Sequence, residues 1–243
     1  SVTYLSRADV DLGVREPVKD GARALSRYVD GIAARVRSHD TVRELARFAT
    51  VPVINALSDL AHPCQALGDI LTVQEHLEEP DEARIVFIGD ANTVSRSLAV
   101  ICAKLGLDLT VACPPGYSFD DEFLRRVEAL CPSTGGAVRV TSSLDEAVGG
   151  AHALYTDVWV SMGQEEAAEE RRRAFAEFQV NAELLSRAAE DAIVMHCLPA
   201  HRGEEITDEV IEGPHSVVFD QAENLSLIHI SEPTRPLYTS YAV

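Results

Sequence analysis

The sequence predicts an α/β fold: two doubly wound parallel-sheet domains, the first one incomplete, bridged by a long helix. Three observations carry this. Short apolar runs alternate with helix-periodic segments along nearly the whole chain, a pattern that builds parallel sheets covered by helices on both faces. The Glu78-Glu79-Pro80-Asp81 stretch breaks that alternation into two series. Just before the break, residues 58–77 contain a long helix opened by Pro63, which suits a first helical turn.

The first series begins with a short extended run over residues 2–5. Residues 17–28 have helical spacing, with Val18, Ala22, Leu25 and Tyr28 as an inner stripe. A strand follows at 31–36, a helix at 40–48 with Asp40 as its N-cap, and a buried strand at 51–56. The second series opens on the strand Arg84-Ile85-Val86-Phe87-Ile88-Gly89-Asp90. Helices are expected at 95–105, 120–130, 143–148, 164–178 and 208–212. Strands are expected at 107–112, 137–141, 153–160, 192–197 and 217–220. This divides the chain into a domain over 1–62, a bridge over 63–78 and a domain over 79–224.

Composition narrows the function classes. The 243 residues are 46% hydrophobic and 25% charged, ordinary for a globular protein. A formal net charge of −18 disfavours nucleic acid and anionic membranes as partners. No apolar run approaches a bilayer span, and the first residues do not read as a signal peptide. Without an initiator methionine, the start is expected to be a truncation. Cys64, Cys102, Cys113, Cys131 and Cys197 are odd in number and form no C-x-x-C. They imply neither a disulfide framework nor a zinc ribbon, and point to the cytosol.

Polar residues gather where strands end, which is where open α/β sheets bind ligands. Arg35 and Arg37 follow the strand at 31–36. His62-Pro63-Cys64-Gln65 opens the long helix; one turn separates His62 from Gln65, and anions are favoured at a helix start. Asp90-Ala91-Asn92-Thr93 follows the next strand, Asp157 to Gly163 another, and His196-Cys197-Leu198-Pro199 the last long one. Taken singly, each has a plainer reading: a capping histidine, a solvated arginine, a loop acid, a buried small cysteine. The Gly89 turn lacks the second and third glycines of a dinucleotide fingerprint.

Together these stretches resemble the aspartate/ornithine carbamoyltransferase family. His62-Pro63-Cys64-Gln65-Ala66-Leu67-Gly68-Asp69 is similar to its H-P-x-Q helix. Asp157-Val158-Trp159-Val160-Ser161-Met162-Gly163 resembles the D-x-W-x-S-M-G loop of the ornithine branch. His196-Cys197-Leu198-Pro199 is similar to that branch's H-C-L-P, and Phe219-Asp220-Gln221-Ala222-Glu223-Asn224 to its last block. The aspartate branch shares H-P-x-Q but lacks the S-M-G loop and that cysteine.

The resemblance implies carbamoyl transfer from carbamoyl phosphate to ornithine in a homotrimer, with no metal or organic cofactor. It puts Arg35 and His62 on the phosphate and carbonyl oxygens and Gln65 on the carbamoyl NH2. Asn92, Thr93, Asp157, Ser161, Met162, Cys197 and Leu198 would hold ornithine. Asp157 would take its α-ammonium, and Cys197 would lie beside the reacting amine without acting as a covalent nucleophile. That amine, with a free pKa of about 10.4 like lysine, needs roughly 4–5 kcal/mol to be neutral near pH 7.

Three departures qualify the resemblance. The family's S-x-R-T phosphate segment is nowhere in the chain, so the 243 residues alone are expected to be inactive. The usual D-G-N-N turn reads Asp90-Ala91-Asn92-Thr93, which keeps open another amine acceptor such as putrescine or an acylated ornithine. A non-catalytic binding subunit of the same fold is the other alternative. From Leu225 to Arg235 the sequence resembles a translated sequencing adapter. Residues 225–243 are therefore expected to be foreign and, with Pro233 and Pro236, not helical.

Overall fold

The computed structural model describes residues 2–131, 135–160 and 165–231. It divides into two compact units, one running to Cys64 and the other spanning Gln65–Ser231.

In the first unit, α1 (Arg7–Val10) and α2 (Val18–Leu25) precede β1 (Ile32–Arg35), α3 (His39–Phe48) and β2 (Val53–Leu57). The two strands pair in parallel. Their small core joins Val18, Ala22, Ala34 and Leu45. Three expectations fail here. Residues 2–5 form no strand. Tyr28 is 83% exposed, because α2 stops three residues earlier. There the Ser26 hydroxyl donates to the Ala22 carbonyl at 2.7 Å, an alternative to continued helix. Ser38, not Asp40, is the N-cap of α3, and Asp40 lies in its first turn, where a carboxylate suits the helix dipole.

The second unit begins within α4 (Pro63–His76), the helix expected over 63–78. The chain then runs β3 (Arg84–Ile88), α5 (Thr93–Leu105), β4 (Asp108–Ala112), α6 (Asp121–Glu128), β5 (Val138–Thr141), α7 (Leu144–Val148) and β6 (Ala153–Thr156). It continues through α8 (Ala168–Phe175), α9 (Ala182–Leu185), β7 (Ile193–His196), α10 (Asp208–Ile211) and α11 (Val218–Ser231). The five strands form one parallel sheet in the order β5-β4-β3-β6-β7.

Alternation within the strands assigns side chains to two cores. Ile85, Phe87, Ala153, Tyr155, Ile193 and Met195 face α4, α5 and α6. Val86, Ile88, Leu154 and Val194 face the side of α7, α8, α9 and α10. Helix starts follow local chemistry. The Asn92 side-chain oxygen accepts from the Val94 and Ser95 N–H groups at 2.9 and 3.0 Å, so α5 starts before residue 95. Gly106, at φ +81°, ends it in a left-handed turn.

The strand expected over 153–160 stops at Thr156, which releases Asp157 from the ladder. The strand expected at 217–220 is instead the start of α11. Val217 N–H bonds the Val194 carbonyl, and Val218 turns into the core, so one apolar pair serves both a sheet edge and a helix start. Nor does helix stop at Leu225: α11 runs to Ser231. Its first turns are pinned by Gln221 and Asn224, so extension past them needs no new nucleus before Pro233. Residues 232–243, including both tail prolines, lie outside the described residues.

Phe87 is fully buried and meets the Tyr155 ring edge-on at 5.1 Å between centroids. Phe87→Ala should destabilise the second unit by about 3–5 kcal/mol. Urea unfolding checks this; a loss below about 1 kcal/mol would mean the sheet recloses over the gap.

Candidate active site

The strand order of the second unit reverses at β3: the chain winds through β4 and β5 on one side and β6 and β7 on the other. A doubly wound sheet opens its ligand crevice at that reversal, beyond the carboxyl ends of the strands. Gly89 ends β3 with φ +155°, and a Cβ there would come within 3.3 Å of the Phe87 ring. The turn delivers Asp90 and Asn92. Asp157 leaves β6 beside them, and Cys197 follows β7.

Three of the expected residues meet here. The Asn92 amide donates to Asp157 Oδ2 at 2.6 Å. The Cys197 thiol donates to Asp157 Oδ1 at 3.0 Å, as does the Val158 N–H at 2.8 Å. Asn92 thus works with both ends of its side chain, capping α5 and holding Asp157.

Two acids sit at this reversal with opposite fates. Asp90 pairs with the Arg171 guanidinium, which also bonds the Trp159 carbonyl at 2.5 Å and lies over the Tyr117 ring at 5.0 Å. The pair staples the loop after β6 to the turn after β3. Asp157 has no cationic side chain paired with it among the described residues. Asp157 is largely buried, and among the described residues its carboxylate is held by neutral donors, so the crevice carries a carboxylate with no paired cation.

Burial, and then the Asp157 charge, push the Cys197 thiol well above its ordinary pKa. It is therefore a neutral donor rather than a thiolate nucleophile. Asp157, His196 and Cys197 lie close enough to suggest a metal site. Yet His196 Nδ1 accepts the Leu198 N–H at 2.8 Å, so Nε2 carries the proton and faces Glu205 at 3.0 Å. No imidazole lone pair is left to bind an ion. Leu198 sits at φ +54°, an uncommon conformation for a leucine, costing about 1–3 kcal/mol. The His196 contact helps fix it.

A second polar group is buried beneath the crevice, among Gln65, Asp69, Tyr155 and Gln221. Asp69 is fully buried in α4, and its Oδ1 accepts from the Gln65 amide at 2.9 Å and the Gln221 amide at 2.6 Å. Gln221 Oε1 in turn accepts the His196 backbone N–H at 2.9 Å. The Tyr155 hydroxyl is close enough to affect both Asp69 and Cys197, without a well-formed hydrogen bond to either. Burial raises the Asp69 carboxyl to about pKa 7, against the pull of the Gln65 and Gln221 hydrogen bonds.

In the first unit, Arg35 is the exposed last residue of β1, and the partly buried His62 lies just before α4. Because β1 and β2 are parallel, Arg35 at the end of β1 and His62 after the end of β2 both belong to the carboxyl side of the pair. His39 Nδ1 approaches the Ser58 hydroxyl at 2.9 Å, and its N–H bonds Asp59, tying the two turns together. Thr93 is the first residue of α5. Leu198 follows Cys197. Ser161 and Met162 lie outside the described residues.

Sequence reasoning missed Arg171, Glu205 and Tyr155, and named Asp69 and Gln221 only as members of motifs. Asp69 had a signal: it lies one helical turn after Gln65. The others come together only through the fold.

Two domain families match the chain. Residues 1–75 match the carbamoyl-P binding domain of aspartate/ornithine carbamoyltransferase, and residues 81–229 match its Asp/Orn binding domain. The ornithine carbamoyltransferase of Methanothermobacter thermautotrophicus is 56% identical over 221 residues, 91% of this chain and 73% of that protein. The solved ornithine carbamoyltransferase of Pyrococcus furiosus superposes with a TM-score of 0.89 at 49% identity, covering 93% of this chain and 72% of that one. The anabolic enzyme of Campylobacter jejuni gives a TM-score of 0.86 at 36% identity, covering 91% and 74%.

Asp69 also predicts a pH dependence of stability. Its folded pKa of about 7 lies above the ordinary 3.8, so the folded chain holds the proton more tightly than the unfolded one. Stability should therefore be greatest below about pH 4 for this group, and fall as pH rises through about 7, by an amount on the order of 4 kcal/mol. Urea midpoints at several pH values, for the native chain and for Asp69→Asn, isolate this contribution. The variant should lose the downward slope; an unchanged slope would exclude Asp69 as its source.

Proposed function

The chain belongs to the aspartate/ornithine carbamoyltransferase family, and on that premise we propose how its residues divide the reaction. The enzyme transfers the carbamoyl group of carbamoyl phosphate to the side-chain amine of ornithine, giving citrulline and phosphate. Residues 1–62 serve carbamoyl phosphate and residues 79–224 serve ornithine, a division that the two matched domain families support.

Negative charge develops on the carbonyl oxygen during attack, and positioned donors there lower the barrier. Arg35 supplies a guanidinium fork for phosphate, His62 a donor to the carbonyl oxygen, and Gln65 an acceptor for the carbamoyl NH2. Their strand-end and helix-start positions support these roles.

The ornithine assignment rests on one observation: the uncompensated Asp157 carboxylate at the reversal of the sheet. A carboxylate with neutral donors on both oxygens keeps capacity for one more, and its charge favours a cation. The α-ammonium of ornithine fits that demand, and an acylated ornithine does not. Asn92 and Cys197 set the orientation of Asp157. Cys197, Leu198 and Thr93 line the rest of the acceptor site, and by family resemblance Ser161 and Met162 also serve ornithine. The amine attacks the carbonyl directly, and the neutral Cys197 thiol forms no bond to substrate.

The homotrimer rests on family resemblance alone. No described helix is long and apolar enough to cross a membrane. The apolar burial of Cys64, Cys102 and Cys113 supports a reducing compartment such as the cytosol. The adapter-like sequence from Leu225 supports a foreign origin for residues 225–243, with the native helix α11 extended by it to Ser231.

Two substitutions separate the subsites in the protein made from its complete gene. His62→Ala should lower kcat by about 10²–10³; an unchanged kcat removes His62 from the reaction. Asp157→Asn keeps the side chain's shape but loses the charge and one acceptor oxygen, and should raise the KM for ornithine far more than that for carbamoyl phosphate. Equal rises would count against the α-ammonium assignment.

A further inference from the structure

The proposed role of Gln65 needs its amide to face a definite way. An amide has a donor end and an acceptor end of nearly equal size, and a primary amide can rotate to present either. To receive the carbamoyl NH2, Gln65 must present oxygen. Something must therefore hold its NH2 on the other side.

Asp69 is placed to do so. It lies one turn further along α4, fully buried, and its Oδ1 accepts from Gln65 Nε2 at 2.9 Å. While ionised, Asp69 cannot donate, so it selects the NH2 end of Gln65 and leaves the oxygen end turned away from it. Asp69 is itself held by Gln221 Nε2 at 2.6 Å, and Gln221 is held by the His196 N–H at 2.9 Å. The chain of contacts runs from Gln65 in α4 to the end of β7, where Cys197 meets Asp157. Each step is a buried hydrogen bond.

A purely structural role is the competing explanation. Asn224 already ties α11 to α4, bonding Thr72 at 3.1 Å and Glu75 at 2.6 Å, so these helices do not depend on Asp69 alone. An apolar residue at 69 would also avoid burying a carboxyl group, which costs more than it returns unless the site needs it.

We propose that Asp69 is a positioning residue for the transfer: it fixes Gln65 with the amide oxygen presented to the carbamoyl NH2, and is itself held in place by Gln221. This rests on the carbamoyl role of Gln65 given above.

The test compares Gln65→Ala, Asp69→Leu, Asp69→Asn and the double variant Gln65→Ala/Asp69→Leu in the protein made from its complete gene. Asp69→Leu keeps the branched outline of the side chain and removes the acceptor. It should raise the KM for carbamoyl phosphate and lower kcat/KM for that substrate by about 10- to 100-fold, the range for a misplaced binding group. The KM for ornithine should stay near its native value. A structural defect would instead lower kcat through lost active enzyme and leave both KM values alone.

Asp69→Asn still offers an acceptor oxygen to both glutamines and should recover kcat/KM to within about threefold of native. The double variant should be no worse than Gln65→Ala, because the two side chains act on one contact. If the leucine variant does not fold, Asp69→Ala takes its place with the same expected change in KM. Folded Asp69→Leu or Asp69→Ala with native carbamoyl phosphate kinetics overturns the proposal, as does strict additivity in the double variant. If Gln65→Ala itself keeps full activity, the role of Gln65 fails first, and the two failures are told apart.

Discussion

A parallel sheet covered on both faces leaves its strand ends as the places where charge can meet a ligand, and that constraint shapes the second unit. Each central strand donates alternate side chains to two apolar cores, so polar groups inside the sheet would have to be buried without water. Two buried ones at strand ends are satisfied at once: Thr156 bonds the Ile88 carbonyl at 2.7 Å, and His196 uses both ring nitrogens. What remains for chemistry is the rim, where β3, β6 and β7 release Asp90, Asp157 and Cys197 within reach of one another. The active-site side chains are gathered by the direction of the strands before any of them is specialised.

That is why so much was legible in the sequence. A strand shows as an apolar run and ends where polar residues begin, so Asp157, Asn92 and Cys197 announced themselves by following Ile, Val and Leu runs. The α/β class needed only the alternation of the two periods. What the pattern misjudged were ends and edges. Residues 217–220 are apolar and β-branched in part, yet only Val217 pairs with the sheet before Val218 starts a helix. The same four residues satisfy both readings locally, and the choice is made by the His196 N–H, which needs Gln221 beside it. Tyr28 misled for the opposite reason: its spacing fits a helix that stops at Leu25.

The supporting polar residues were not legible because their meaning lies in partners remote in sequence. Asp69 and Gln221 are 152 positions apart, and Arg171 and Asp90 are 81 apart. Nothing at Arg171 distinguishes it from its neighbours Arg172 and Arg173, which form exposed pairs with Glu204 and Glu169. Only the fold makes it the buried one. A single sequence carries strand ends in its own local pattern, but carries the second layer of hydrogen bonds only as unremarkable polar residues.

Three acids in the second unit show how environment assigns roles to one functional group. Asp90 is neutralised by a guanidinium and becomes a staple for the loop that follows β6. Asp157 meets only neutral donors and keeps its charge available at the rim. Asp69 is carried inside, where burial lifts its pKa to about 7 and its value lies in what it forces on Gln65 and Gln221. Stability alone would favour replacing the last of these with an apolar side chain. A carboxyl group kept in a dry core, against that pressure, has a use that packing cannot supply: while ionised it accepts from both amides without offering a donor of its own. The cost falls on stability and the return falls on the direction of a single acceptor, which is the division expected when a binding group must be aimed before its ligand arrives.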